Sequence, residues 1–207
     1  SQRGIASAED LAAFAQAVND GSSLTPFMVD GVVVLLNDID ASSIKEWTPI
    51  GTASNPFSGN FDGKGRAIRN INWTVNAANY PDAGLFGYTK GASILGLNVG
   101  DAGNKITVKG NAAGFNAGVI VGNAVGGSLT GCSNYTDLVY EGNPSGGAIC
   151  LAGLCGRSSA TLTSCTNKGN VLSPVICRAA GFVAYNEGKV EECTNYGCIL
   201  AEKSGEV

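Results

Sequence analysis

Apolar and polar residues alternate in short runs along most of the chain, and glycines interrupt these runs every few residues. Such runs predict short β-strands separated by turns, because successive side chains of a strand point to opposite faces. The exception is the segment SAEDLAAFAQAVNDG, which has helical spacing. There we expect a helix over about residues 8–19, begun by Ser7 and ended before Gly21. Its apolar face consists of Leu11, Phe14, Ala15 and Val18.

The strand-rich part of the sequence repeats itself. Cys-Thr-Asn, one variable residue and glycine occur at Cys165 and again at Cys193, and Cys132 begins a related copy with the same asparagine two residues later. Nine or ten residues before each cysteine, a small residue closes an apolar triplet, and Gly84–Gly87 supplies a fourth copy upstream. A weaker fifth copy is suggested by the spaced isoleucines of FDGKGRAIRNI. The period is 28 to 35 residues.

A unit of this length cannot bury its own apolar face, so stacked units must share one core, as in a solenoid. Short strands without a helical pattern favour a parallel β-helix, and the handedness of parallel crossovers predicts a right-handed coil. The sequence therefore predicts an all-β, right-handed parallel β-helix. Its coils are expected over residues 32–207, with the clear repeats from about residue 84. Residues 1–31 are expected to form a cap whose α-helix covers the open end.

Equivalent residues of successive coils lie on one line in a β-helix. The repeat therefore predicts an inward column of Cys132, Cys165 and Cys193, buried, adjacent and mostly reduced, beside a ladder of asparagine side chains. Seven cysteines is an odd number, so at least one stays free or pairs between chains. Cys150 and Cys177 are expected to be near neighbours and are the pair best suited to a disulfide.

Composition excludes several classes of function. The chain has 13 lysines and arginines against 17 acids, with no basic cluster, so no nucleic-acid partner is expected. It has no histidine, which removes histidine bases and ligands, and no apolar run long enough for a membrane span. We predict no cofactor and no metal. Asp38-Ile39-Asp40 lacks the spacing of a calcium loop and is interpreted as a turn.

Cleavage of a polysaccharide would need two carboxylates facing one sugar ring. Asp62 with Arg66 and Arg69 is the best small cluster in the sequence, and Glu191 with Glu192 is the best adjacent pair. Neighbours on a strand point to opposite faces, so the glutamates cannot act together. We interpret both groups as solvated coil surface.

One pattern on the outer wall fits a binding site. Tyr135, Lys168 and Tyr196 each follow a column cysteine by three residues, which places them outward. Arg157 and Tyr185 come directly after the apolar stretches that end at Gly156 and Ala184. Aromatic rings stack on sugar faces while polar groups bind hydroxyls, so these five are the candidate ligand-binding residues. Repeats also generate such stripes without selection for binding.

Two of these four-residue stretches, Gly84–Gly87 (GLFG) and Gly153–Gly156 (GLCG), resemble the GLUG motif of bacterial surface proteins. The N-terminal segments VVVLLNDIDAS and WTPIG are similar to the usual lead-in to such arrays, so the resemblance covers nearly the whole chain. The copies VIVG and GFVA depart from the motif. The resemblance implies a secreted or surface-attached, adhesin-like protein.

The sequence and the resemblance together predict a non-catalytic extracellular or cell-surface module that binds a glycan or host ligand, or spaces other domains. The alternative is a carbohydrate-active β-helix enzyme, a polysaccharide lyase or hydrolase. A groove with two or more acids, one of them with a perturbed pKa, would distinguish the enzyme. The start at Ser1 indicates a processed product, and the absence of an obvious cap before Val207 leaves room for further coils or domains.

Overall fold

The computed structural model describes residues 3–144 and 146–201, which form a parallel β-solenoid with one helix near the N-terminus. The chain makes four complete turns of five strands each, with a partial turn before them and another after them. This confirms the predicted fold class of a parallel β-solenoid with an N-terminal helix.

The helix α1 (Ala8–Asp20) agrees with the predicted span. Ser7 is its N-cap: the hydroxyl oxygen accepts a hydrogen bond of 3.1 Å from the backbone N–H of Asp10. Gly21 ends the helix in the left-handed conformation. A short 3₁₀ segment, Thr25–Phe27, follows.

The buried face of α1 is the predicted one, with Leu11, Phe14, Ala15 and Val18 all buried. The ring of Phe14 packs against Phe27, Phe57 and Phe61, with centroid distances of 5.4 to 6.0 Å. The helix therefore closes the N-terminal end of the solenoid core.

The strands are numbered in chain order. The first, partial turn contains β1 (Met28–Val29), β2 (Val32–Val34) and β3 (Ile39–Asp40). The second contains β4 (Asn60–Asp62), β5 (Ala67–Arg69), β6 (Asn72–Asn76), β7 (Asp82–Ala83) and β8 (Phe86–Lys90). The third contains β9 (Ser93–Leu95), β10 (Asn98–Val99), β11 (Lys105–Lys109), β12 (Phe115–Gly118) and β13 (Val121–Val125).

The fourth turn contains β14 (Ser128–Thr130), β15 (Ser133–Asn134), β16 (Asp137–Glu141), β17 (Ile149–Ala152) and β18 (Cys155–Ser158). The fifth contains β19 (Thr161–Thr163), β20 (Thr166–Asn167), β21 (Val171–Ser173), β22 (Arg178–Ala180) and β23 (Val183–Asn186). The last, partial turn contains β24 (Lys189–Glu191), β25 (Thr194–Asn195) and β26 (Ile199–Ala201).

Equivalent strands of successive turns pair in parallel and form five sheets along the solenoid. Sheet 1 consists of β2, β4, β9, β14, β19 and β24, with β1 added antiparallel at its edge. Sheet 2 consists of β3, β5, β10, β15, β20 and β25, and sheet 3 of β6, β11, β16, β21 and β26. Sheet 4 consists of β7, β12, β17 and β22, and sheet 5 of β8, β13, β18 and β23.

The register between turns shows that the weak fifth copy of the repeat was aligned at the wrong position. The isoleucines of FDGKGRAIRNI, Ile68 and Ile71, were expected to match Ile94 and the leucine three residues later. Instead Phe61 lies opposite Ile94, and Ile68 lies opposite Val99. The connection from β4 to β5 is longer than the equivalent connections in later turns, and this shifts the isoleucines to another position in the coil.

The solenoid interior changes composition along its length. The N-terminal part is filled by large rings, including Trp47 and Trp73, which stack with centroids 4.5 Å apart. The later turns are filled mainly by aliphatic residues and cysteines, together with the ring pair of Phe115 and Tyr140. In the last turn the inward residues Val190 and Cys193 are only partly buried. No helix in the described residues is long and apolar enough to cross a membrane.

Candidate functional site

The asparagines of the repeated phrase form the predicted ladder, which is buried at Asn134 and Asn167 and exposed at Asn195 in the last turn. The side-chain amide of Asn134 donates to the side-chain oxygen of Asn167 at 3.0 Å, and Asn167 donates to Asn195 at 2.8 Å. Asn167 also bonds its own turn: its amide donates to the carbonyl of Gly169 at 2.9 Å, and the N–H of Gly169 donates back at 3.2 Å. The asparagine thus fixes a local turn and joins successive coils.

Two glycines leave room for this ladder. A side chain on Gly169 would overlap the carbonyl oxygen of Thr136 in the preceding turn. A side chain on Gly153, the first glycine of the GLCG motif, would overlap the amide of Asn167 inside the solenoid. The glycine motif and the Cys-Thr-Asn motif therefore contact each other inside the solenoid. Both motifs recur because this packing is repeated in successive turns.

The cysteine column is confirmed in its first two members and corrected in its third. Cys132 and Cys165 are fully buried, whereas Cys193 is only partly buried because the last turn has no further turn packed on it in the described residues. The thiol of Cys165 lies 3.5 Å from the carbonyl oxygen of Leu129 in the preceding turn. All seven cysteines are free, and burial raises the pKa of the Cys155 thiol, which makes it unreactive.

The predicted neighbours Cys150 and Cys177 do not form a disulfide. Cys150 lies opposite Arg178 in sheet 4, which places Cys177 opposite Ile149, a residue of the core. Cys177 packs against that core, whereas Cys150 shares the outer side of the sheet with Arg178. Their side chains therefore point to opposite faces of the sheet, where a bond cannot form without moving the backbone.

Three of the five candidate residues come together on sheet 2. We call Tyr135, Lys168 and Tyr196 the sheet-2 ladder. The ammonium nitrogen of Lys168 lies 5.4 Å from the ring centroid of Tyr135 and 5.6 Å from that of Tyr196. Lys168 is thus held between the rings by cation–π contacts. The two tyrosines do not form one open platform, because lysine covers the faces they turn toward each other.

The ladder ends abruptly on its N-terminal side. The equivalent residue in the preceding turn is Gly100, whose φ is +81° and where a side chain would overlap the hydroxyl of Thr136. Lys168 contacts the ring of Tyr135 from the following turn, and on the other side of Tyr135 the equivalent position carries no side chain. A cavity of about 350 Å³ lies there. We call it the sheet-2 pocket, and its lining includes Asp38, Arg69, Asn98, Gly100, Asp101 and Tyr135.

An ion-pair network forms the wall of the sheet-2 pocket. Arg69 donates from its Nε to Asp38 at 3.1 Å and from a terminal nitrogen to Asp101 at 2.6 Å. The backbone N–H of Ala67 also donates to Asp38 at 2.8 Å. This backbone hydrogen bond and Arg69 hold the pKa of Asp38 below its usual value, so Asp38 is ionised at neutral pH. Sequence reasoning missed this network, because its members lie in three different turns.

The other two candidates lie on sheet 5, separated from the ladder by sheet 1. Arg157 lies opposite Tyr185, with its guanidinium carbon 4.8 Å from the ring centroid. Arg178 of sheet 4 approaches the same ring at 4.7 Å. Arg157 also forms an ion pair of 2.8 Å with Glu187. The five predicted residues therefore belong to two surfaces rather than one.

The acids selected from the sequence do not form a catalytic pair. Asp62 pairs with Lys64 at 3.4 Å, not with the arginines predicted beside it, because Arg69 belongs to sheet 2 and turns toward the sheet-2 pocket. Glu191 pairs with Lys189 at 2.8 Å, and its neighbour Glu192 accepts a 3.3 Å hydrogen bond from a serine.

One carboxylate has the perturbed pKa that an enzyme site would need. Burial raises the pKa of Asp82 on sheet 4, and the side-chain amide of Asn116 donates to it at 3.1 Å. Amides and Arg157, rather than a second acid, are its polar neighbours. Among the described residues no group of three or more histidine, cysteine or acidic side chains could hold a metal ion.

The fold and these contacts define a parallel β-solenoid built on stacked asparagine and cysteine columns, with two outward ladders. No protein-family model matches the chain, and no curated protein or solved structure matches it either. The GLUG resemblance of the glycine motifs is therefore a prediction carried by the sequence alone.

Proposed function

We propose that the protein is a non-catalytic, adhesin-like module of the extracellular space or cell surface that binds a saccharide at the sheet-2 pocket. One observation carries the proposal. The ring of Tyr135 contacts Lys168, and Tyr135 also lines a cavity together with carboxylate, guanidinium and amide groups. An aromatic face beside several hydrogen-bonding groups is the arrangement that holds a sugar, whose ring stacks while its hydroxyls are bound.

The groups around the cavity are held in place before any ligand binds. Arg69 is bonded to two carboxylates, and Lys168 contacts the ring of Tyr135. Because these groups stand on a rigid stack of strands, binding would lose little side-chain entropy. The extracellular location rests on the resemblance of the glycine motifs to those of surface proteins.

A lyase or hydrolase is the weaker proposal for this chain. Asp38 and Asp101 face the same pocket, but Arg69 stands between them and bonds to both. The lowered pKa of Asp38 is the opposite of what a general acid needs. Asp82 has a raised pKa but no second carboxylate beside it among the described residues.

A glycan array followed by calorimetry tests the proposal. We expect Tyr135→Ala to weaken the affinity for any array ligand about tenfold, which corresponds to about 1.4 kcal/mol of lost stacking. Tyr135→Phe should retain most of the affinity, because the ring remains. Tyr185→Ala on sheet 5 is the matched control and should bind like the parent.

Equal affinity of the parent and Tyr135→Ala would remove the sheet-2 pocket as the site. Absence of binding to every glycan would leave the spacer role as the better proposal. Release of product from a polysaccharide by the parent, lost in Asp38→Asn, would make the enzyme reading correct.

A further inference from the structure

We infer that the sheet-2 pocket accepts a neutral, hydroxyl-rich sugar unit and excludes acidic sugars, an inference that rests on the proposed saccharide binding. Three properties of the pocket support this inference: the hydrogen-bonding groups that remain open, the charge of the lining and the volume.

The donors of the pocket wall are partly engaged, and the guanidinium of Arg69 lies between two carboxylates. Arg69 donates from its Nε to Asp38 and from one terminal nitrogen to Asp101. The side-chain amide nitrogen of Asn98 donates to the carbonyl of Gly65 at 3.0 Å. Three of the five N–H groups of Arg69 and one of the two on the Asn98 amide take no part in these contacts. A carboxylate or sulfate could accept from Arg69 only beside Asp38 and Asp101, whose negative charges oppose its own.

Acceptors also stay open in the pocket. Asp101 receives Arg69 on one carboxylate oxygen, and its second oxygen takes no hydrogen bond from the described residues. The side-chain oxygen of Asn98 is open in the same sense. A sugar hydroxyl can donate to such oxygens, and two neighbouring hydroxyls can engage two of them at once.

The charge of the pocket lining also disfavours an acidic ligand. Asp38 and Asp101 carry two negative charges against the single positive charge of Arg69. Arg66 lies near enough to Asp38 to lower its pKa, and Lys168 lies across the ring of Tyr135. Neither of these cations lines the pocket, so an anionic ligand would meet a carboxylate before it met an unpaired cation.

The volume limits the ligand to a small unit. At about 350 Å³ the pocket stands at the lower end of the range for small-molecule sites. It therefore suits a single sugar unit at the end or side of a chain, with the remaining units extending over the surface.

The experiment compares matched pairs of glycans on one array, each a neutral oligosaccharide and the same oligosaccharide with a sialic acid, uronic acid or sulfate on its terminal unit. We expect the neutral member to be bound and the acidic member to bind at least tenfold more weakly. Calorimetry with the best neutral oligosaccharide and its acidic partner then gives the ratio of affinities in solution.

A charge variant tests the cause of the selectivity. Asp101→Asn removes the excess negative charge, so we expect weaker binding of the neutral ligand and a ratio of affinities reduced severalfold. Glu141→Gln is the matched control: Glu141 also pairs with a cation, Lys109 at 3.5 Å, but lies on sheet 3. It should leave the ratio unchanged, and circular dichroism checks that both variants keep the fold.

The outcomes separate the two claims. Preferential binding of the acidic members, abolished by Tyr135→Ala, would overturn the selectivity and support the site. Binding to neither member of any pair would overturn the proposed saccharide binding and the selectivity with it. An unchanged ratio in Asp101→Asn would show that the lining charge does not set the selectivity.

Discussion

At the scale of single residues, the most informative group is a polar side chain in the middle of an apolar core. Asn167 is fully buried, yet its amide and its oxygen both have partners, in its own turn and in the neighbouring turns. A buried amide is tolerated only when it is satisfied in this way. The repeated phrase therefore records a hydrogen-bonding requirement, not a reaction.

Replacement of this asparagine should be costly. In Asn167→Ala the N–H of Gly169 and the amide of Asn134 each lose a buried acceptor, and we expect the free energy of unfolding to fall by about 3 kcal/mol. Urea unfolding followed by circular dichroism measures the change. Asn79→Ala, at an exposed position, is the control and should unfold with the parent. A parent-like midpoint for Asn167→Ala would show that the ladder is not a source of stability.

At the scale of elements, the sequence predicted what depends on local pattern and on repetition. Helix α1 was predictable because Ser7 and Gly21 mark its ends, and the position of Asn134 was predictable because stacking makes equivalent residues identical. The sheet-2 pocket was not predictable, because Asp38, Arg69 and Asp101 are about thirty residues apart and do not repeat. The sequence also could not show that Arg157 and Tyr185 lie on sheet 5, because this depends on the number of strands in each turn.

The helix is the element whose role can be tested directly. Leu11→Asp with Phe14→Asp places two charges against the rings at the end of the core, so α1 should detach and expose the first turn. We expect concentration-dependent aggregation, because the uncovered strands present unpaired edges. Ala12→Asp with Ala13→Asp adds the same charge on the exposed face and should stay monomeric in light scattering. Should the buried-face variant also remain monomeric and stable, the helix is not a cap.

At the scale of the whole molecule, burial decreases along the solenoid axis. Inward residues of the third and fourth turns, such as Ile106 and Leu138, are fully buried. The inward residues Val190 and Cys193 of the last turn are half-buried, and the exposed Ile199 and Leu200 lie on its final strand, β26. Stability in a solenoid is a sum over neighbouring turns, so a turn packed on one side only should be the least stable.

Hydrogen exchange can measure this gradient in the 207-residue chain. We expect the amides of β24 to β26 to exchange first and those of β9 to β18 last, because local opening of the final turn breaks contacts with one neighbour only. Mass spectrometry of peptic fragments at several exchange times gives the order. The amides of β4 to β8 provide the internal comparison, because α1 covers the N-terminal end and should keep their protection close to that of the middle turns. Uniform protection from β4 to β26 would mean that the solenoid opens as one cooperative unit, and the turn-by-turn account of its stability would then be wrong.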